Sequence, residues 1–151
     1  MTNVRERQTY FGAVDPLTGE LTVMEAVTAN AAWTIRFLDY LRECYPGKQL
    51  ILCWDGASYH RSLDVRAYLQ RVNTGHCEAD WPIRCIQFAP NAPQQNPIED
   101  VWLQTKAWVR RNWSRLDGTF DACKALFEEA IMTLKIDFPK LRRYTSGLQI
   151  T

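Results

Sequence analysis

With 151 residues, 46% of them hydrophobic, 23% charged and six tryptophans, the chain has the length and apolar content of one globular domain rather than a disordered segment. Eighteen basic against 17 acidic residues leave a formal net charge of +1, which excludes a simple polycationic nucleic-acid binder but allows a locally basic face. No uninterrupted apolar run approaches the ~20 residues of a membrane span, and the start, MTNVRERQTY, lacks the apolar core of an export signal. A cytoplasmic protein without membrane attachment, folded as one domain over residues 1–151, is the expectation.

In chain order, Gln8 to Val14 and Glu20 to Val27 flank Asp15-Pro16-Leu17-Thr18-Gly19, a turn signal, and predict a β-hairpin. Asn30 is placed to cap a helix whose apolar stripe is Trp33, Phe37, Leu38, Leu41 and Tyr45, ended by Pro46-Gly47. Gln49 to Trp54 is apolar on both parities, the mark of a strand covered on both faces. It runs into Asp55, and Ser62 caps a second helix carrying Leu63, Ala67, Tyr68 and Leu69. A polar connector from Asn73 to Asp80 leads to a strand from Ile83 to Phe88, then to a proline-stiffened loop, Ala89 to Pro97. Pro97 suits the first position of a helix capped by Asn96, with Ile98, Val101, Trp102, Thr105, Trp108, Val109 and Trp113 at three- and four-residue steps. That spacing makes Trp102, Trp108 and Trp113 core residues rather than base-stacking platforms. A last helix places Phe120, Cys123, Leu126, Phe127, Ile131 and Leu134 on one face. The order β-β-α-β-α-β-α-α predicts an α/β layer architecture.

The five cysteines, Cys44, Cys53, Cys77, Cys85 and Cys123, are odd in number and scattered, without a CxxC pair. Neither a disulfide framework nor a structural zinc site fits, and reduced thiols are expected.

Chemistry concentrates on two carboxylates at element ends. Asp55 closes a buried strand, the edge where α/β sheets bind ligands, and Glu99 sits in the first turn of a helix behind a stiff loop. Hard divalent cations favour such oxygen donors, and a metal pair held by carboxylates activates a hydroxyl and neutralises charge on a phosphodiester. The plainer alternatives are a turn-forming Asp55 and a Glu99 that bonds back to the Asn96 cap. His60 could orient a water or contact phosphate, or lie idle in its loop. Ser58 and Tyr59 are hydroxyl donors in the same loop, and a Ser-His-Asp triad there lacks an oxyanion signature. Lys106 and Arg110, one turn apart and followed by Arg111 and Arg115, either track a phosphate backbone or form a solvated basic face. Lys135, Lys140, Arg142 and Arg143 are open to the same two readings.

Trp54-Asp55-Gly56-Ala57-Ser58-Tyr59-His60-Arg61-Ser62 resembles the second catalytic-aspartate segment, approximately Asp-Asn-x-x-x-His, of DDE transposases of the IS630/Tc1/mariner superfamily. Phe88 to Trp102 resembles that family's third-carboxylate segment, reproducing its Asn-Pro-Ile-Glu-x-x-Trp core from Asn96 to Trp102, with Lys106 following. The resemblance covers roughly residues 8 to 130. It implies an RNase H-like mixed sheet flanked by helices, and DNA cleavage and strand transfer at transposon ends and target, dependent on Mg²⁺ or Mn²⁺. It makes Asp55 and Glu99 the catalytic metal ligands, with His60 and Lys106 as possible phosphate or water contacts beside the Arg110 read from helical spacing, in a nucleoid-associated bacterial-type protein.

Gly56 stands where the family has Asn, Gln95 where it has Leu, and the Asp55–Glu99 interval is lengthened within Asn73 to Pro82, a surface connector where insertion costs little. The family's first catalytic aspartate, on a strand before the hairpin, has no counterpart: Asp15 is the earliest aspartate, and Asp15-Pro16 is turn chemistry. The N-terminal helix-turn-helix is likewise absent. An N-terminally truncated domain lacking its first strand is therefore expected, with the hairpin and the Asp55 strand short of a partner. Such a chain should bind metal weakly, be inactive alone, and either form a homodimer or accept a complementing upstream polypeptide. A non-catalytic DNA-binding or oligomerisation module from the same scaffold is the alternative. An unrelated phosphohydrolase would need a third acid such as Asp100 or Asp39.

Overall fold

The structure, a computed structural model, describes residues 6–90 and 95–138. Strands β1 (Thr9–Val14) and β2 (Leu21–Ala26) form the hairpin, followed by helix α1 (Ala31–Cys44), strand β3 (Leu50–Trp54), helix α2 (Leu63–Asn73), a 3₁₀ turn (Glu78–Asp80) and strand β4 (Ile83–Gln87). Helix α3 (Pro97–Arg111), a second 3₁₀ turn (Trp113–Arg115) and helix α4 (Phe120–Thr133) complete the predicted order.

Local chemistry sets the boundaries. Asp15 Oδ1 accepts from the backbone N–H of Leu17 at 2.9 Å, and Gly19 takes a φ of 74°, so Asp15 is a turn former as its neighbours imply. Asn30 caps α1 through Trp33 N–H at 2.9 Å, Ser62 caps α2 through Val65 N–H at 3.3 Å, and Thr119 caps α4 through Ala122 N–H at 3.2 Å.

The chain divides into two compact units. One comprises Thr9–Ala13 and Thr22–Asn96. Its core joins Leu38 of α1, Tyr68 of α2 and Ile83 of β4, with Leu50, Leu52, Trp54, Leu69, Val72 and Cys85 packed around them. The strands β3 and β4 run parallel, Leu50 opposite Ile83 and Trp54 opposite Gln87, so both end at one edge. The hairpin and this parallel pair are two separate two-stranded sheets, with no ladder between them among the described residues. Helix α1 is tied to the hairpin by Phe37 against Phe11, ring centroids 5.5 Å apart.

Two expectations about this unit need correction. Residues Gln49 to Trp54 are not covered on both faces: Leu50, Leu52 and Trp54 turn inward, whereas Ile51 is 67% exposed and Cys53 and Ile86 are also exposed. Side chains alternate across the pleat, and α1 and α2 supply cover to one parity only. On α2 the buried stripe is Val65, Tyr68, Leu69 and Val72, while Leu63 and Ala67 face outward. The three- and four-residue steps that meet β4 start from Val65, not Leu63.

The other unit comprises Met1–Gln8, Val14–Leu21 and Pro97–Thr151. Here α3 packs on α4 around Val109, Leu126 and Ala130, flanked by Trp108, Leu116 and Phe127. Trp102 stacks on Phe127 at 6.2 Å, as the helical spacing of the tryptophans predicts, but Trp113 lies beyond α3 and is 57% exposed. The chain turns into a 3₁₀ segment after Arg111, which carries Trp113 off the stripe.

Candidate active site

The Asp55 site is built by the end of β3 and the loop into α2. Asp55 leaves the strand beside its parallel neighbour, and the ladder closes with Phe88 N–H donating to Trp54 C=O at 2.8 Å. Its Oδ1 accepts from Ala57 N–H at 3.0 Å, which folds the loop back on itself. The same oxygen lies 3.0 Å from His60 Nδ1, whose other neighbour is Asp55 C=O at 3.2 Å. Both are acceptors, so Nδ1 carries a proton and donates towards them. Asp55 thus performs the turn role with one oxygen, while Oδ2 makes no hydrogen bond among the described residues and the side chain is 56% exposed.

His60 is held from three sides. Its ring stacks on Trp54 with centroids 4.4 Å apart and 4° between planes, and Tyr59 meets it edge-on at 4.5 Å. Tyr59 in turn touches Phe11 of the hairpin at 6.5 Å. Only 13% of the imidazole is exposed, so it is packed into the loop rather than solvated. Burial raises the Tyr59 hydroxyl above its ordinary value, with the Asp55 charge adding to it, so it remains an O–H donor at neutral pH. No hydrogen bond joins Ser58 to His60 among the described residues, so a Ser-His-Asp relay is not assembled there.

Gly56 was read from sequence only as a departure from a motif. In the structure the carboxamide of Gln87, at the end of β4, occupies the space a side chain at 56 would need: Nε2 would lie 2.7 Å from an added Cβ. Sequence reasoning passed over Gln87 because nothing local marks it. Its significance comes from the parallel register that sets it opposite Trp54.

In the other unit, Glu99 is exposed in the first turn of α3, where the helix dipole favours a carboxylate. Its side chain makes no hydrogen bond among the described residues, so the predicted bond back to the cap is not formed. Residues 91–94 of the preceding loop lie outside the described residues. Lys106, Arg110 and Arg111 are exposed along α3 and form no ion pair among the described residues. Arg115 is committed elsewhere, 3.0 Å from Glu129 and over the Trp108 ring. Lys135 is exposed, while Lys140, Arg142 and Arg143 fall outside the described residues.

Neither Asp39 nor Asp100 belongs to a metal-binding group among the described residues. Asp39 accepts the Tyr68 hydroxyl at 2.6 Å, tying α1 to α2, and Asp100 is buried on the inner side of α3. Among the described residues no three His, Cys, Asp or Glu side chains gather as a metal-binding group. Each unit thus offers one hard oxygen donor, Oδ2 of Asp55 in one and the Glu99 carboxylate in the other, neither of them hydrogen-bonded among the described residues. All five cysteines are free thiols, as expected.

Comparison with known proteins brings these features together. The sequence matches the family described as DDE superfamily endonuclease over residues 1–119. No curated protein matches it in sequence. Among solved structures, it is similar to a chain in the cryo-EM structure of a simian T-cell lymphotropic virus intasome in complex with PP2A regulatory subunit B56 gamma, with a TM-score of 0.59 at 12% identity. The match covers 96% of this chain and 54% of that one, so the present chain spans about half the length of the chain it matches. At this identity the likeness concerns the fold, which is RNase H-like, with helices against small β-sheets as expected. No described helix is long and apolar enough to cross a membrane.

Proposed function

This chain belongs to the DDE superfamily endonucleases, and from that premise we propose that it is the Asp55–Glu99 portion of a transposase catalytic domain of the IS630/Tc1/mariner kind. On this reading residues 1–151 form one domain that acts on transposon ends and target DNA in a cytoplasmic, nucleoid-associated setting. The observation that carries it is the arrangement at Asp55. One oxygen is fixed by Ala57 N–H and a caged imidazole, while the other is left uncommitted at the C-terminal edge of a parallel strand pair.

Asp55 and Glu99 would hold Mg²⁺ or Mn²⁺, which supplies a lowered pKa to a bound water or 3′-hydroxyl and neutralises phosphodiester charge. The chain's own residues do the positioning. Trp54 and Tyr59 fix the His60 plane; His60 fixes one lone pair of Asp55 and thereby orients the free oxygen. Lys106 and Arg110 offer two exposed cations one helical turn apart, without an ion pair among the described residues, a spacing suited to adjacent phosphates.

Two carboxylates restrain an ion less well than three, and no ladder joins the hairpin to the β3–β4 pair among the described residues. The reading therefore includes a missing acid, delivered on a strand that completes the sheet and comes from an upstream polypeptide or a second copy. A non-catalytic DNA-binding module is the competing reading, favoured by the absence of a three-ligand group among the described residues. A plasmid-nicking assay with Mn²⁺ separates them. The chain alone should be inactive, and adding an upstream segment that carries an acid at a strand end should produce nicking that is lost in Asp55→Ala and in Glu99→Ala. Nicking by the chain alone would refute the missing-acid proposal, and DNA binding without nicking under complementation would favour the module.

A further inference from the structure

The Gln87 carboxamide is the polar group next to the Asp55 loop for which neither the motif reading nor the catalytic proposal has a use. It stands at the end of β4, one strand over from Asp55, and its residue is exposed. Its amide makes no hydrogen bond among the described residues. It reaches over Gly56, with Nε2 2.7 Å and Cδ 3.5 Å from where a Cβ at 56 would stand. Gly56 does not have the positive φ seen at Gly19, Gly47, Gly75 and Gly118. Backbone conformation thus does not demand glycine there; the space above it is what an added side chain would take. An exposed carboxamide with two N–H donors and one acceptor, lying over Gly56 beside Asp55 and making no hydrogen bond among the described residues, is available to a ligand at that edge.

We propose that Gln87 is a DNA-contacting residue of the Asp55 site, donating from its carboxamide to a non-bridging phosphate oxygen of the bound strand, and that Gly56 is the vacancy that lets it reach there. This rests on the reading of the chain as acting on DNA. A neutral donor differs from Lys106 and Arg110 in a measurable way. It releases no counterion, so its loss should weaken binding equally at every ionic strength, whereas loss of a cation flattens the salt dependence.

The experiment titrates a short duplex oligonucleotide into the full chain, following fluorescence anisotropy across a salt series and, in ¹⁵N-labelled protein, the side-chain amide signals. The Gln87 pair of signals is assigned by its disappearance in Gln87→Leu. The account predicts that these signals shift on DNA addition. Gln87→Leu should weaken binding roughly fivefold with an unchanged salt slope. Gly56→Ala should weaken it similarly, and the double variant no further than either alone. Unmoved Gln87 signals at saturating DNA, or losses that simply add in the double variant, would overturn the proposal while leaving DNA binding intact. A wild-type chain that binds no duplex would overturn both this proposal and the reading on which it rests.

Discussion

Asp55 shows how one residue carries a bland role and a chemical one at once: Oδ1 makes the turn with Ala57 N–H, and Oδ2 is left over. The turn was readable from sequence, because Asp before Gly is turn chemistry. The cage around His60 was not, because Trp54 and Tyr59 reach the ring from a strand end and a loop whose meeting depends on tertiary packing. Asn73 makes the same point for stability. It reads as the first residue of a polar connector, yet it is 8% exposed and binds both backbone groups of Ile83, donating to C=O at 2.9 Å and accepting from N–H at 3.3 Å. It does for β4 what another strand would do. Asn73→Ala leaves two buried backbone groups unpaired, and denaturant melts should show a loss of about 2–4 kcal/mol. Cys85 gives a sharper chemical forecast. Burial, with a smaller contribution from Cys53, pushes its thiol up to about 12, while Cys44, Cys53 and Cys77 are exposed. Since the thiolate is the nucleophile, timed alkylation at mildly alkaline pH with mass-spectrometric readout should label Cys44, Cys53 and Cys77 well before Cys85.

At the scale of elements, α1 was legible because three independent signals coincide, the Asn30 cap, an apolar stripe and the Pro46-Gly47 stop, whereas the later helices rested on fewer signals. The strand β3 was misjudged on one face because an apolar run shows what can be buried, not what arrives to bury it, and Ile51 finds no cover. The α1–α2 pair was placed correctly as two helices, but its polar tie was not foreseen: Asp39, weighed as a spare metal ligand, accepts the Tyr68 hydroxyl at 2.6 Å. Burial first, and that bond second, push the Tyr68 hydroxyl up to about 12 from 10.0. A folded-state value above the unfolded one means that this stability is complete below about pH 10. It is lost as pH rises from 10 towards 12, because the unfolded chain ionises first. Tyr68→Phe should therefore cost about 1 kcal/mol at neutral pH and reduce the decline of stability between pH 10 and 12, checked by melts across that range.

For the molecule as a whole, the order of elements followed from sequence, and the hairpin and the β3–β4 pair form two separate sheets among the described residues. What no local pattern supplies is the relation between Asp55 and Glu99. Each lies in its own compact unit, and their proposed partnership rests on chemistry: two carboxylates, each with oxygen unclaimed by the fold, in a member of the DDE superfamily endonucleases. Complementation should strengthen metal retention, since a third acid adds a hard donor to the set. The most direct test of a shared ion is a Mn²⁺ titration, by electron paramagnetic resonance, of the wild type, Asp55→Ala, Glu99→Ala and the double variant. If the two acids hold one ion, either single substitution removes the bound Mn²⁺ and the double variant loses nothing more. Unchanged binding in either single variant, or losses that add as from two separate sites, would contradict it.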